Sequence, residues 1–436
     1  MQQRSAVVPA TALRALCHFI DGRRVEGQSN RFADVYNPTL GVPISRVPLA
    51  DDDEVDAAIA SAHQAFKEWS TTSPIVRGRG MARFKTLIEQ HMSELADLVS
   101  TEHGKGISDA RRSIQRGLEV VEFCEAAPHL LKGEFSDSIS QGIDVYSMRQ
   151  PLGVVVNITP FNFPAMVPLY TLAPAIAAGN TVVLKPSERD PSCPLGLAEL
   201  LFEAGAPAGV VNVINGDKSA VDRLIADSRV HAVSFVGSTP VAKSIFVTAA
   251  MQGKRVQAFG GAKNHMIILP HADIDEAAGA LMGAAYGSAG ERCVAISVAV
   301  PVTDEVADRL VAAIADRIPS LKVGSSFDAG TDMGPLITRD HLNRVKGYIG
   351  MGVEEGARHQ VRRHGLDGIG ATSGWASKRE PGWSPMVVRI SATAVRKGSS
   401  WAPRFSTMSN RVCASTRRRF SVPSCPWCAQ RASMRD

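Results

Sequence analysis

Long apolar runs are missing from this 436-residue chain. A membrane-spanning helix needs roughly 18 consecutive apolar residues, whereas the stretches around Val154 and Ala173 are short and broken by Pro and Gly. No membrane-spanning segment and no membrane partner are therefore expected. Cysteine is scarce as well. Cys17, Cys124, Cys193, Cys293, Cys413, Cys425 and Cys428 are too few and too scattered for a disulfide framework, so a reducing, cytoplasmic compartment is expected. The eleven histidines show no metal-ligand spacing, and no metal is expected; His271-Ala272-Asp273-Ile274-Asp275-Glu276 reads instead as the acidic start of a helix. With 44% apolar and 21% charged residues, the chain is neither collagen-like, nor a coiled coil, nor wholly disordered. Its length suits two or three domains.

What is present is unevenly distributed. The formal net charge is +5, but residues 358–436 carry 15 Lys and Arg against 3 Asp and Glu, a net of +12, leaving −7 on residues 1–357. Those last 79 residues also hold four of the five Trp, three of the seven Cys and 12 Ser, yet 11 Leu, Ile, Val or Phe. That is too little apolar matter to build a core. The segment is read as frameshifted or disordered sequence rather than as a basic arm, although Arg417-Arg418-Arg419-Phe420 has the character of a nucleic-acid contact; nucleic-acid binding is not expected. Cys425-Pro-Trp-Cys428 lacks the strand and helix of a redox motif, and Gly368-Ile369-Gly370 with Gly374 misses dinucleotide-motif spacing by one residue.

Residues 1–17 read as a flexible N-terminus, and His18-Phe19-Ile20 followed by Asp21-Gly22 as a strand and turn. Asp51-Asp52-Asp53 precedes an apolar stripe, Val55, Ala58, Ile59, Ala62, Phe66 and Trp69, at helical spacing. Farther on, strand-like runs at 154–157, 182–185, 210–214, 232–236 and 266–269 are interleaved with helical stretches at 172–178, 195–204, 220–226 and 241–250, closed by Gly179-Asn180 and Gly205. Alternation of this kind predicts right-handed crossovers and a parallel sheet covered on both faces, with ligands beyond its carboxyl ends. A second α/β region starts near Gly260, with helices predicted at 273–286 and 303–318.

The strand ends carry the chemistry. Thr159-Pro160-Phe161-Asn162-Phe163-Pro164 follows the first strand, Lys185-Pro186-Ser187-Glu188 the second, and Phe235-Val236-Gly237-Ser238-Thr239-Pro240 the fourth. The last offers a turn, an N-cap hydroxyl and free N–H groups for a phosphate. Lys185 and Glu188, three residues apart, can grip a ribose, the carboxylate repelling a 2′-phosphate. Cys293 stands in Gly287-Ser288-Ala289-Gly290-Glu291-Arg292-Cys293, among small residues that admit a ligand and beside a cation that favours the thiolate.

In order and spacing, these segments together with Gly260-Gly261 resemble the aldehyde dehydrogenase superfamily over residues 18–357. More narrowly, Phe259-Gly260-Gly261-Ala262-Lys263-Asn264-His265 and Gly290-Glu291-Arg292-Cys293 resemble its CoA-acylating branch, which oxidises methylmalonate and malonate semialdehydes. The resemblance implies an aldehyde dehydrogenase-like α/β fold. It would comprise a Rossmann-type, parallel-sheet NAD-binding domain at 18–259, an oligomerisation hairpin near 130–150, and an α/β catalytic domain left partial at 260–357. Cys293 is implied as the nucleophile that forms a thioester, and the Asn162 amide as an oxyanion donor. NAD contacts are implied for Thr159, Phe161, Lys185, Glu188, Arg189, Ser238 and Gly260, and substrate-carboxylate contacts for Arg116 and Arg292. The Glu that activates water in hydrolytic members is matched here by Ala258, which points to coenzyme A as co-substrate. A hydrolytic enzyme giving a free acid, or an inactive truncated relic, is the alternative. The resemblance further implies a small aldehyde substrate, a homo-oligomer, and a Glu-x-Phe-Gly-Pro segment that is not found after Arg358, so weak turnover is expected.

Overall fold

The computed structural model describes residues 13–354, 359–361 and 386–388. Its first strand, β1 (Arg14–Ala15), pairs in parallel with Ser45 and Arg46, and Leu16 behind it is buried. Arg14 and Ala15 thus belong to a sheet and the Leu16 amide donates to the Arg46 carbonyl at 2.7 Å, unlike the flexible N-terminus expected over 1–17; residues 1–12 lie outside the described residues. β2 (His18–Ile20) and β3 (Arg23–Val25) form a hairpin. Its turn residues Asp21 and Gly22 have φ 55° and 72°, the left-handed pair a two-residue Asp-Gly turn needs. β4 (Phe32–Asn37) and β5 (Val42–Pro48) pair antiparallel.

Five helices follow: α1 (Asp52–Trp69), α2 (Pro74–Gln90), α3 (Met92–His103), α4 (Ile107–Glu125) and α5 (Ala127–Leu130). At the start of α1 the Asp51 carboxylate accepts from the Glu54 amide and the Glu54 carboxylate accepts from the Asp51 amide, both at 3.0 Å. This reciprocal capping satisfies donors that a helix end leaves open. The hairpin β6 (Phe135–Ser140) and β7 (Ile143–Tyr146) is exposed along its whole length.

The predicted alternation then appears: β8 (Val154–Ile158), α6 (Met166–Ala177), β9 (Thr181–Lys185), α7 (Ser192–Glu203), β10 (Val211–Val213), α8 (Lys218–Ala226), β11 (Val230–Val236), α9 (Thr239–Met251) and β12 (Arg255–Phe259). The seven-stranded sheet runs β12-β11-β8-β9-β10-β2-β3, its first five strands mutually parallel. From β8 the chain winds outward through β9 and β10, then returns to β11 and β12 on the other side. The carboxyl ends of β8, β9 and β11 therefore flank a topological switch point, where such sheets bind ligands. Alternation along β9 divides the core. Val182 and Leu184 face the cluster built with Phe84, Ile114, Leu169 and Leu197, while Val183 joins Ile59, Val156, Leu224 and Phe235 on the opposite face.

β12 was not among the predicted strands, and the run predicted at 266–269 belongs to a different sheet. There β13 (Asn264–Ile268) pairs in parallel with β14 (Ile296–Pro301), supported by α10 (Ile274–Tyr286) and α11 (Asp304–Arg317); α12 (Arg339–Glu354) follows. β15 (His359–Val361) and β16 (Met386–Val388) pair antiparallel. The remaining motifs of the basic segment, Gly368 to Gly374, Arg417 to Phe420, and Cys425 with Cys428, lie outside the described residues. Among the described residues no helix is long and apolar enough to cross a membrane, and no His, Cys, Asp and Glu group could hold a metal.

Candidate functional site

The expected cofactor contacts lie at or just after the carboxyl ends of β8, β9, β11 and β12. Thr159 is buried, with its hydroxyl left without a protein partner. Phe161 lies between His103 and His341, at ring-centroid distances of 6.0 and 5.7 Å, and carries the Arg189 guanidinium 5.1 Å from its centroid. Lys185 Nζ donates to Glu188 Oε2 at 3.3 Å. The hydroxyl cap expected of Ser238 is not made: Ser238 is the N-cap residue of α9, but its side chain caps nothing. The neighbouring Thr239 hydroxyl does not cap the helix either; its Oγ1 accepts from the Gly261 amide at 2.9 Å. A Cβ on Gly260 would stand 2.9 Å from that same oxygen, so the loops after β11 and β12 are closely packed. An uncapped helix start, an orphaned Thr159 hydroxyl and a Lys185–Glu188 pair at the ends of neighbouring strands suit the phosphates and ribose of a dinucleotide.

Cys293 is exposed and follows a tight turn. Ser288, Ala289 and Gly290 have φ 54°, 53° and 78°, and left-handed non-glycine residues are a form of strain found at functional loops. The Asn264 amide holds the far side of the turn, donating to the carbonyls of Cys293 and Ala295 at 2.8 and 2.9 Å. Arg292 Nη2 is 2.7 Å from Asp109 Oδ1, and its Nη1 donates to the Gly283 carbonyl at 3.3 Å. A Cβ on Gly287 would sit 2.4 Å from that Nη1, so glycine there leaves room for the guanidinium.

Beneath both loops lies the corner between α3 and α4. Lys105 is 1% exposed; its Nζ donates to the Asn162 carbonyl at 2.6 Å and stands 4.5 Å from the centre of the Phe163 ring. Burial pulls the Lys105 ammonium down to about 8, against the opposing carboxylates of Asp109 and Asp190. Glu291 is pushed up to about 8 by burial; its oxygens are 3.1 Å from His341 Nε2 and 3.8 Å from His103 Nε2. Glu102, raised by burial to about 7, accepts from the Ser192 amide and hydroxyl at 3.0 and 2.5 Å. Asp190 is wholly buried with neither oxygen partnered, which holds its carboxyl well above the usual range.

One corner therefore carries both the Asn162 loop and the Cys293 loop. Arg116 stands apart from it. Its side chain is 69% exposed and 3.5 Å from Glu119 on its own helix, seven residues from Asp109, or about 10 Å along the axis. At the end of β12, Ala258 is in register with Phe235 and offers no acid–base group.

An aldehyde dehydrogenase family model matches residues 25–370. This chain belongs to the aldehyde dehydrogenase family. It is 51% identical over 360 residues to malonate-semialdehyde dehydrogenase of Pseudomonas aeruginosa, a match spanning 83% of this chain and 72% of that protein. Among solved structures, a Sinorhizobium meliloti protein assigned as methylmalonate-semialdehyde dehydrogenase and complexed with NAD superposes with TM-score 0.80 at 51% identity, over 83% of this chain and 74% of that one. Methylmalonate-semialdehyde dehydrogenase of Oceanimonas doudoroffii gives TM-score 0.79 at 50% identity, over 82% and 73%.

Lys105, Asp109, Asp190, Glu102, His103 and His341 escaped the sequence reading. One signal did point to the corner: Gly104-Lys105-Gly106 sets a lysine between two glycines at a helix junction, where backbone can approach closely.

Proposed function

We propose that this aldehyde dehydrogenase oxidises malonate semialdehyde, or its methyl homologue, to an acyl-CoA through a thioester on Cys293, with NAD as oxidant. The Cys293 thiolate attacks the aldehyde carbon, and the Asn162 side-chain amide and the Cys293 N–H hold the oxyanion that develops. One such donor contributes roughly 10²–10³-fold. Bound NAD would supply the hydride acceptor. Thr159, Phe161, Lys185, Glu188, Arg189, Ser238 and Gly260 would hold it, as the uncapped start of α9 and the Lys185–Glu188 pair support. Arg292 would grip the substrate carboxylate with the part of its guanidinium that Asp109 leaves free, and Arg116 is proposed as the second cation.

The observation that carries the acylating reading is Ala258 at the end of β12. Without a carboxylate there, water lacks the general base that gives about 10²–10⁴-fold, whereas the thiol of coenzyme A brings its own nucleophile. The CoA sulfur adds to the thioester carbonyl and the Cys293 thiolate leaves; the substrate carboxylate departs as carbon dioxide, and the carbon that bore it takes up the proton released by the CoA thiol. NADH formation from malonate semialdehyde should require coenzyme A and yield acetyl-CoA. Equal NADH without coenzyme A, with free acid as product, would replace this reading by the hydrolytic one, and no NADH in either case would favour an inactive relic. The exposed apolar residues Phe135, Ile139, Ile143 and Tyr146 of the β6–β7 hairpin support a homo-oligomer, which a single-chain mass by light scattering would contradict.

A further inference from the structure

Lysine is almost never fully buried without a reason that offsets the cost of desolvating its charge. Lys105 is among the largest side chains of the molecule that are fully buried, and it lies on no strand end and in none of the motifs that mark the crevice. Its ammonium meets the backbone carbonyl of Asn162 at 2.6 Å and the face of Phe163 at 4.5 Å, so it grips the Asn162 loop at two consecutive residues. The Asp109 carboxylate favours its charge, and Arg292 opposes it.

The stem of Lys105 starts from a fixed point. Gly104 has φ 90°, and a Cβ there would come within 3.1 Å of the Pro335 carbonyl and ring. A Cβ on Gly334 would stand 1.8 Å from the Gly104 carbonyl, and the Ile107 amide donates to the Ser326 carbonyl at 3.2 Å. The corner is wedged between neighbouring segments and cannot slide without breaking them. A long side chain rooted there delivers its donor to one place.

We propose that Lys105 is a positioning residue for the oxyanion donor, fixing the Asn162 backbone from beneath so that the side-chain amide stays where charge develops. This rests on the reading of Cys293 as nucleophile and Asn162 as donor. A charge-assisted hydrogen bond to a main-chain carbonyl limits the motion of the residue that bears it, and displacing a preorganised donor by a fraction of an ångström forfeits its effect on the transition state.

Two probes of Cys293 separate positioning from general structure, and neither needs NAD, coenzyme A or turnover. Acylation by p-nitrophenyl acetate, read as a burst of nitrophenolate, passes through an oxyanion; alkylation by iodoacetamide does not. With alkylation read by mass on the peptide that carries residue 293, Cys293→Ala should abolish both, and Asn162→Ala should slow acylation by about 10²-fold while leaving alkylation unchanged. Lys105→Met, which keeps the stem and removes the ammonium, should slow acylation about tenfold, the lower end for one hydrogen bond to a charged group, with alkylation at the wild-type rate. The double variant Lys105→Met with Asn162→Ala should be no slower than Asn162→Ala alone, because the lysine acts through the asparagine.

Wild-type acylation in Lys105→Met, or a full tenfold loss added on top of Asn162→Ala, overturns the proposal. Wild-type acylation in Asn162→Ala removes the donor reading itself, and the proposal with it. Should Lys105→Met lose its native circular dichroism, Lys105→Arg carries the test. It keeps the charge but moves the donor, and it should slow acylation and spare alkylation; equal loss in both probes would count against positioning.

Discussion

Two residues before Cys293, Glu291 is buried against two imidazoles, His341 at 3.1 Å and His103 at 3.8 Å, with Lys105 and Arg189 also contributing to its field. Burial raises its carboxyl from an ordinary 4.5 to about 8. The folded protein then holds a proton on Glu291 that the unfolded chain has lost through this interval. The stabilisation is complete below pH 4.5 and is lost as pH rises toward 8. Glu102, raised to about 7, acts in the same direction. Glu291→Gln cannot ionise, so its melting temperature should fall less steeply than wild type between pH 5 and 8, with the two curves diverging most near pH 8. Parallel curves would show that Glu291 is not protonated in the folded state. Cys293 and Asn162 stand out as candidates in the sequence because their neighbours form short contiguous motifs. Glu291 and Lys105 do not, because a charged side chain in a polar run ordinarily belongs to the surface, and what buries these two comes from helix α12 and from the loop that follows β8.

The same contrast holds for the elements. β8, β9 and β11 are apolar runs bounded by Gly or Pro and were read close to their observed limits. β12 alternates between exposed and half-buried positions as Arg-Val-Gln-Ala-Phe and has too little apolar content to register as a buried strand. α6 begins at Met166, ahead of the predicted 172, with Pro168 in its first turn, where a missing N–H costs little. Neither difference moves the switch point. More consequential for the site is the contact of α4 with α6, since α4 starts just after Lys105 and α6 follows the Asn162 loop. Gly117 makes that contact: a Cβ there would meet Leu169 Cδ1 at 2.6 Å and the Met166 backbone at 3.2 Å. Leu169 is fully buried and has little room to move. Gly117→Ala gains up to about 1 kcal/mol in helix propensity and loses about 1–3 kcal/mol to overpacking. A net destabilisation of about 1 kcal/mol is expected, read as a lower urea midpoint at unchanged slope; an unchanged or higher midpoint would mean the two helices can part without cost.

Across the whole molecule, the two halves of the proposed oxyanion site stand on supports of unequal strength. Asn162 follows β8, an interior strand of a sheet covered on both faces by large buried clusters. Cys293 follows α10, in a part whose buried cluster is seven residues, Ile268, Ile274, Ala277, Ala278, Leu281, Val306 and Leu310. Around it Ile267, Leu269, Val294 and Val302 are exposed, so this part removes less apolar surface from water, and apolar burial is the main favourable term in folding. The contacts Arg292 to Asp109, Glu291 to His103, and Phe161 to His341 tie it to the large sheet. A smaller core opens at lower free energy than a larger one. In native-state hydrogen exchange, amides of α10 and α11 should therefore lose protection at lower denaturant than those of β8 and β9, and Asp109→Ala, which unties Arg292, should lower protection in α10 and leave the sheet unchanged. Equal protection across all four elements would show that the two cores open as one cooperative unit, with the proposed nucleophile held as firmly as the proposed oxyanion donor.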